Sequence, residues 1–301
     1  MMPRLLFCGL VLSVLSISPS GAAAPAHDVA FWRGIKAHEF AVPEGAAPGA
    51  LLLEVCGDLL GSPDPELRDQ LGYEIADAWI LRKRTVSDAD LRPVLARLEQ
   101  NLGEGIGENG TDSVLKRSFS ALVLSVLAAR DNDAPFLTAE EFDGLLSAAL
   151  DYLTRERDER GFVPGKGWHH SVAHTADLLK ALGRSPRLAP AAQRRILASV
   201  VLKTSGSQAF WTWGEDDRLA TAVLTIVKRD DFDATTLDGW LDRFIAAWRT
   251  ALQDPIDPVR FAAGKNGRNV LTALEVQVGT SAPFAAAEKT RKSLLMTLRR
   301  M

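Results

Sequence analysis

Apolar residues recur at helical spacing through nearly the whole chain, as in Leu91, Val94, Leu95 and Leu98, or Phe142, Leu145, Leu146 and Ala149. Alternation with the period of a strand is absent, so the pattern predicts helices throughout. Start signals precede these stripes: Pro63-Asp64-Pro65, Ser87-Asp88, Thr111-Asp112, Thr138 with Glu141 as a capping box, and Thr235-Thr236. Glycine and proline gather between the stripes and mark short connections.

The starts form two interleaved series. One begins near Ser87, Thr138, Ala189 and Thr236, at separations of 51, 51 and 47 residues. The other begins near Pro65, Ser113, Gly167, Gly214 and Lys265. Apolar positions superimpose across the first series: Leu91 with Phe142 and Trp240, and Leu95 with Leu146, Leu197 and Phe244. Two helices per unit at a period of about 50 predict an all-α fold of stacked helical hairpins, an α/α solenoid or a partial α/α toroid. About five hairpins fit, with an irregular first one, and no linker divides residues 25–301 into two domains.

The N-terminus has a different pattern. Arg4 precedes an apolar run from Leu5 to Ile17, and Gly21-Ala22-Ala23-Ala24 supplies small residues for cleavage. This is the composition of a signal peptide over residues 1–24, so the expectation is an exported chain, periplasmic or secreted. The run is too short to span a bilayer, and no membrane span is expected after its removal. Cleavage would also remove Cys8 and leave Cys56 alone in the apolar stretch Ala50–Leu60, a buried small hydrophobe with no disulfide partner. The remaining composition is that of an ordinary globular chain: 301 residues, 47% hydrophobic, 24% charged, net charge −3. Charges of both signs are mixed and no basic block occurs, which argues against nucleic acid as a partner.

Candidate chemistry concentrates in Glu156 to Asp177, which holds Glu156, Asp158, Arg160, Lys166, Trp168, His169, His170, His174 and Asp177. If a helix begins near Gly167, Trp168, Val172, Ala176, Leu179 and Leu182 share an apolar stripe, and His170, His174 and Asp177 share the opposite one. His170 and His174 are then an i, i+4 pair about 6 Å apart. Asp177 could accept the second ring N–H of His174. Three readings fit: a hydrogen-bonded network joining loop to helix, a divalent metal site, or acid–base work by a histidine beside a carboxylate. For zinc, His170 and His174 would need a third ligand from Glu156, Asp158, Glu215 or Asp216.

The second series of starts places Arg117, His170, Arg218 and Arg268 at comparable early positions, so stacking would line them along one rim. Trp211 and Trp213 could wall a site for a sugar or flat ligand, or cap the core. The glycine-rich run Gly103–Gly110 follows a helix and is acidic, which suits a connection rather than a phosphate cradle. No nucleophile elbow and no Cys–His set occurs.

Four segments resemble one bacterial family: Arg117-Ser118-Phe119-Ser120, Glu156-x-Asp158-x-Arg160-Gly161-Phe162-Val163, Lys166-Gly167-Trp168-x-His170-x-x-Ala173-His174-x-Ala176-Asp177, and Glu215-Asp216-x-Arg218-Leu219. The resemblance, over roughly Gly72 to Val227, is to the domain of unknown function 2785. It implies an all-helical fold and no established activity. His169 departs from the small residue expected there. The functional expectation is a groove around His170, His174 and Asp177 that binds a small polar ligand, peptide or metal, with Arg117, Arg160, Lys166, Trp168 and Arg218 contributing. The alternative is a hydrolase or lyase acting on carbohydrate or peptidoglycan, with acid and base drawn from Glu156, Asp158, Glu215 and Asp216.

Overall fold

The computed structural model describes residues 27–301, so the expected signal peptide at residues 1–24 lies outside the described residues. The fold is all-α. After α1 (Val29–Ala37) and α2 (Pro48–Glu54, continued by wide π turns over Val55–Leu59), a second wide-turned segment runs over Glu66–Tyr73, α3 (Glu74–Asp77) and Ala78–Arg82. Regular helices follow: α4 (Asp88–Asn101), α5 (Ser113–Asp133), α6 (Ala139–Arg155), α7 (Ser171–Gly183), α8 (Pro190–Ser205), α9 (Glu215–Val227), α10 (Thr236–Ala251), α11 (Pro258–Thr280) and α12 (Ala287–Arg300).

Local chemistry sets several of these boundaries. The Ser87 hydroxyl accepts from the Asp90 N–H at the start of α4, and Thr138 with Glu141 closes a capping box on α6. Pro190 occupies the first turn of α8, and Asp257 caps α11 ahead of Pro258. α11 therefore starts seven residues before the Lys265 expected from spacing. α7 starts at Ser171, four residues after the expected Gly167. The intervening residues form a short antiparallel hairpin, β1 (Phe162–Val163) on β2 (Gly167–Trp168), with Phe162 opposite Trp168.

α5, α7, α9 and α11 pack side by side in that order, and α6, α8 and α10 cover them. The core is continuous from Trp32 in α1 to Leu294 in α12. Adjacent helices approach closely where glycine permits it: a Cβ on Gly183 would lie 2.4 Å from the Thr225 hydroxyl of α9. Cys56 is buried, and burial pushes its thiol up to about 12, so it packs as a hydrophobe. No described helix is long and apolar enough to cross a membrane.

The loops that precede α5, α7 and α9 meet at one end of the molecule and are cross-braced there. Gly110 N–H donates to Asp158, Lys203 of α8 donates to the Glu156 carbonyl, and the Trp211 N–H donates to Asn266 of α11. This loop end carries most of the candidate residues.

Candidate functional site

The charged candidates divide into braces and a cluster around His170. Arg117 is fully buried and grips Glu156 by two hydrogen bonds of 2.5 and 3.1 Å. Its third nitrogen donates to the carbonyls of Glu104 and Gly105 and to Ser113, which fixes the glycine-rich loop. Glu156 also accepts from the Arg157 and Asp158 N–H groups. Asp158 is held by Arg160 and the Gly110 N–H; burial opposes its charge, yet these bonds keep its carboxyl below the usual range. Every carboxylate oxygen of Glu156 and Asp158 is thus engaged by an arginine or a backbone N–H. Lys166 pairs with Asp112 at the surface. Of the expected rim of Arg117, His170, Arg218 and Arg268, Arg117 is spent on Glu156 and the glycine-rich loop, and Arg268 is half-buried on α11.

The hairpin sets the position of His170. His169 N–H donates to the Gly161 carbonyl at 2.8 Å and His170 N–H to the Arg160 carbonyl at 3.0 Å, which extends the β1–β2 pairing to the start of α7. The chain must then turn from strand to helix in one residue, and His170 does so in the left-handed region at φ 43°. A non-glycine residue there costs about 1–2 kcal/mol. His170 is therefore a helix cap, not a member of a helical stripe. Its ring still lies 5.7 Å from that of His174, at right angles.

His174 differs from expectation in its partner. Its Nδ1 lies 2.8 Å from the Ser118 hydroxyl, and that hydroxyl donates its only proton to the His169 carbonyl. His174 must then donate from Nδ1, which leaves Nε2 as a bare acceptor. Asp177, the expected partner, turns to Arg218 and Lys180 instead. A guanidinium from the neighbouring helix offers Asp177 a charged partner, which an imidazole held neutral by burial cannot.

Two exposed aromatics of the hairpin and one from the next loop form a wall. Phe162, Trp168 and Trp213 are 40%, 37% and 48% exposed. Their ring centroids are 5.1 Å (Phe162–Trp168), 5.7 Å (Trp168–Trp213) and 5.9 Å (Phe162–Trp213) apart. Trp168 also stacks on His170 at 4.2 Å. Trp211, two residues from Trp213, is buried and donates to Glu159. The pair thus splits: Trp211 caps the core and Trp213 joins the wall. Gly161 lies beneath the Trp213 ring, where a Cβ would sit 2.1 Å from Cδ1. Gly161→Ala should therefore push Trp213 off the hairpin at a cost of about 1–3 kcal/mol, read as a tryptophan fluorescence shift accompanying a lower urea midpoint.

Behind the wall lies a small polar floor. Glu215, at the first turn of α9, is 1% exposed; one oxygen accepts the Trp213 N–H at 2.9 Å, and the other lies 4.0 Å from His170 Nε2. Among the described residues His170 Nε2 is buried without a partner. Burial raises the Glu215 carboxyl above its usual range. Burial, with nearby Arg218, lowers His170 to about 4; burial, with His170 and Arg218, holds His174 well below its ordinary value. Asp216 remains half-buried beside this floor, accepting from the Asp217 N–H.

Both imidazoles resist protonation in the folded state, so acid favours the unfolded chain. As pH falls through 6.5 the unfolded chain binds protons that the folded chain refuses until about pH 4 at His170. His170 alone should remove about 2 kcal/mol between pH 7 and pH 5, while Glu215, with its raised carboxyl, acts in the opposite sense. Urea denaturation at the two pH values checks this: His170→Asn, which tolerates the left-handed backbone, should lose less stability on acidification than the parent chain.

Among the described residues no group of three or more His, Cys, Asp or Glu side chains is placed to hold a metal ion. Glu156 and Asp158, two of the proposed third zinc ligands, are bound to arginines, and Ser118 occupies Nδ1 of His174. Sequence reasoning passed over Glu159, whose oxygens take Lys203 at 2.6 Å, Ser207 at 2.6 Å and the Trp211 ring N–H at 3.2 Å. Lys203 on the inward face of α8 was its only signal. Ser118, through His174, and Phe162, through Trp168, also join the site, and neither residue type signals this in the sequence.

A family model described as "Protein of unknown function (DUF2785)" matches residues 102–276. The match takes in all of the site and continues past Val227 into α11. No curated protein and no solved structure matches the chain.

Proposed function

We propose that this chain, which belongs to the DUF2785 family, is a binding module whose cleft between the β1–β2 hairpin and the start of α9 takes a small polar ligand. The observation that carries this reading is the His170 Nε2, buried without a partner among the described residues and 4.0 Å from the buried Glu215 carboxyl, behind three exposed aromatic rings. Buried polar atoms are ordinarily hydrogen-bonded, and exposed aromatic surface next to convergent polar groups is the usual make-up of a ligand site. The left-handed backbone at His170 fits the same reading, since strain persists where a site demands it. Asp177, Arg218 and Lys180 form a charged rim beside the floor. Arg117, Glu156 and Asp158 serve as its supports.

We read the helix pairs as an α/α hairpin array, on the strength of the spacing of starts and the side-by-side order α5, α7, α9, α11. Residues 1–24 alone support the further reading that the chain is exported.

A thermal-shift screen of the full chain against sugars, muropeptides, short peptides and divalent metals tests the binding reading. A ligand at a hundred times its Kd stabilises by about 2.7 kcal/mol, so one class should raise the melting temperature of the parent chain and fail to raise that of His170→Asn. No shift with any class, or equal shifts in the variant, would overturn it.

A further inference from the structure

The cleft has a wall, a floor and a charge balance, and each constrains the ligand. Phe162, Trp168 and Trp213 touch one another at centroid distances of 5.1 to 5.9 Å, so no gap remains between their faces for a quaternary ammonium. The rings instead form a continuous apolar step with their outer surfaces open. Such a step stacks against a ligand with a flat, C–H-lined face.

The floor asks for a group that donates and accepts together. Glu215 Oε1 and His170 Nε2, 4.0 Å apart, can both be satisfied by one hydroxyl that donates to the carboxylate and accepts from the Nε2–H tautomer of the imidazole. Charge argues for neutrality. Arg218 faces both imidazoles and disfavours a cation, Glu215 disfavours an anion, and Asp177 is already neutralised by Arg218 and Lys180.

We infer that the ligand is a neutral glycan: a pyranose ring stacks on Trp168 and Trp213 and places one hydroxyl between Glu215 and His170. This rests on the binding-module reading above. Entry moves the Trp168 ring off the His170 imidazole, where it now lies at 4.2 Å. Trp168 stands on the two-residue strand β2 with its ring 37% exposed, so a side-chain rotation moves the ring without changing the strand pairing. Glu156 and Asp158 are committed to arginines, so they brace the site rather than act on the glycan.

Isothermal titration calorimetry of the full chain with cellotetraose, maltotetraose, mannotetraose and chitotetraose tests the inference. Tetra-alanine, betaine, a galacturonate tetramer and zinc chloride form the counter-panel. At least one neutral tetrasaccharide should bind and shift tryptophan fluorescence. Binding should weaken tenfold or more in Trp168→Ala and in Trp213→Ala, and stay unchanged in Phe210→Ala, whose exposed ring lies outside the wall. Circular dichroism of each variant separates lost binding from lost folding, and Trp213→Phe should recover part of the affinity. If none of the four sugars binds, or binding ignores both tryptophans, the glycan is wrong. If a counter-panel compound binds through Trp168 and Trp213 instead, the glycan inference falls while the binding module stands; if no probe binds at all, both fall.

Discussion

Replacing Arg117 by alanine should destabilise the chain more than any other single truncation at the loop end, by about 3–5 kcal/mol. The guanidinium is fully buried, and its removal leaves the Glu156 carboxylate, also buried, without its cation. The carbonyls of Glu104 and Gly105 lose their donor in the same step. Each stranded polar group adds its own desolvation penalty. Urea denaturation followed by circular dichroism measures the loss. The double variant Arg117→Met with Glu156→Gln should lose less than Arg117→Ala, because no charge is stranded and the amide oxygen can still accept the Arg157 and Asp158 N–H groups. A loss under about 1 kcal/mol for Arg117→Ala would mean the pair does not hold the loops.

Lys203→Met is the second large effect, at about 2–4 kcal/mol, for a related reason at a different strut. Lys203 and Glu159 are both buried, 2.6 Å apart, and Lys203 also donates to the Glu156 carbonyl. Methionine fills a similar volume, so the change isolates the charge. Glu159 would keep only the Ser207 hydroxyl and the N–H groups of Gln208 and the Trp211 ring. That loop carries Trp213, so the account expects a red-shifted tryptophan emission together with the lower urea midpoint. A lower midpoint with unchanged emission would show that the strut stabilises α8 without positioning the wall.

These two struts also show where sequence reasoning reaches its limit. The caps at Ser87 and at Thr138 with Glu141 could be read directly, because a helix cap is an interaction within four residues; α5 and α9 start where the spacing put them although neither has a side-chain cap. The identity of the key segment was readable too, since it gathers Trp168 with His169, His170 and His174, three of the chain's five histidines. Partner choice was not. Arg117 meets Glu156 across 39 residues, Lys203 meets Glu159 across 44, and Asp177 takes Arg218 from the next helix in place of His174. The spacing His174-x-x-Asp177 permits a contact but cannot show that a stronger cation will arrive from elsewhere. The late start of α7 has a similar origin. Gly165, Gly167 and His170 all adopt left-handed backbone, and two residues of strand pairing leave no periodic trace. Trp211 and Trp213 carry the same side chain two positions apart, and the backbone bond from Trp211 to Asn266 on α11 decides which ring turns inward.

The central claim is that the floor of the cleft is kept for a ligand and not for the fold, and Glu215→Gln tests it most directly. Glutamine keeps an oxygen for the Trp213 N–H and removes a buried carboxylate that has no cation within ion-pair distance among the described residues apart from a neutral imidazole. The lost helix-dipole interaction offsets part of the gain, about 0.3–1 kcal/mol. Urea denaturation at pH 7 should therefore show stability unchanged or raised by about 1 kcal/mol. A loss above about 2 kcal/mol would instead identify Glu215 as part of the structural network and contradict the account.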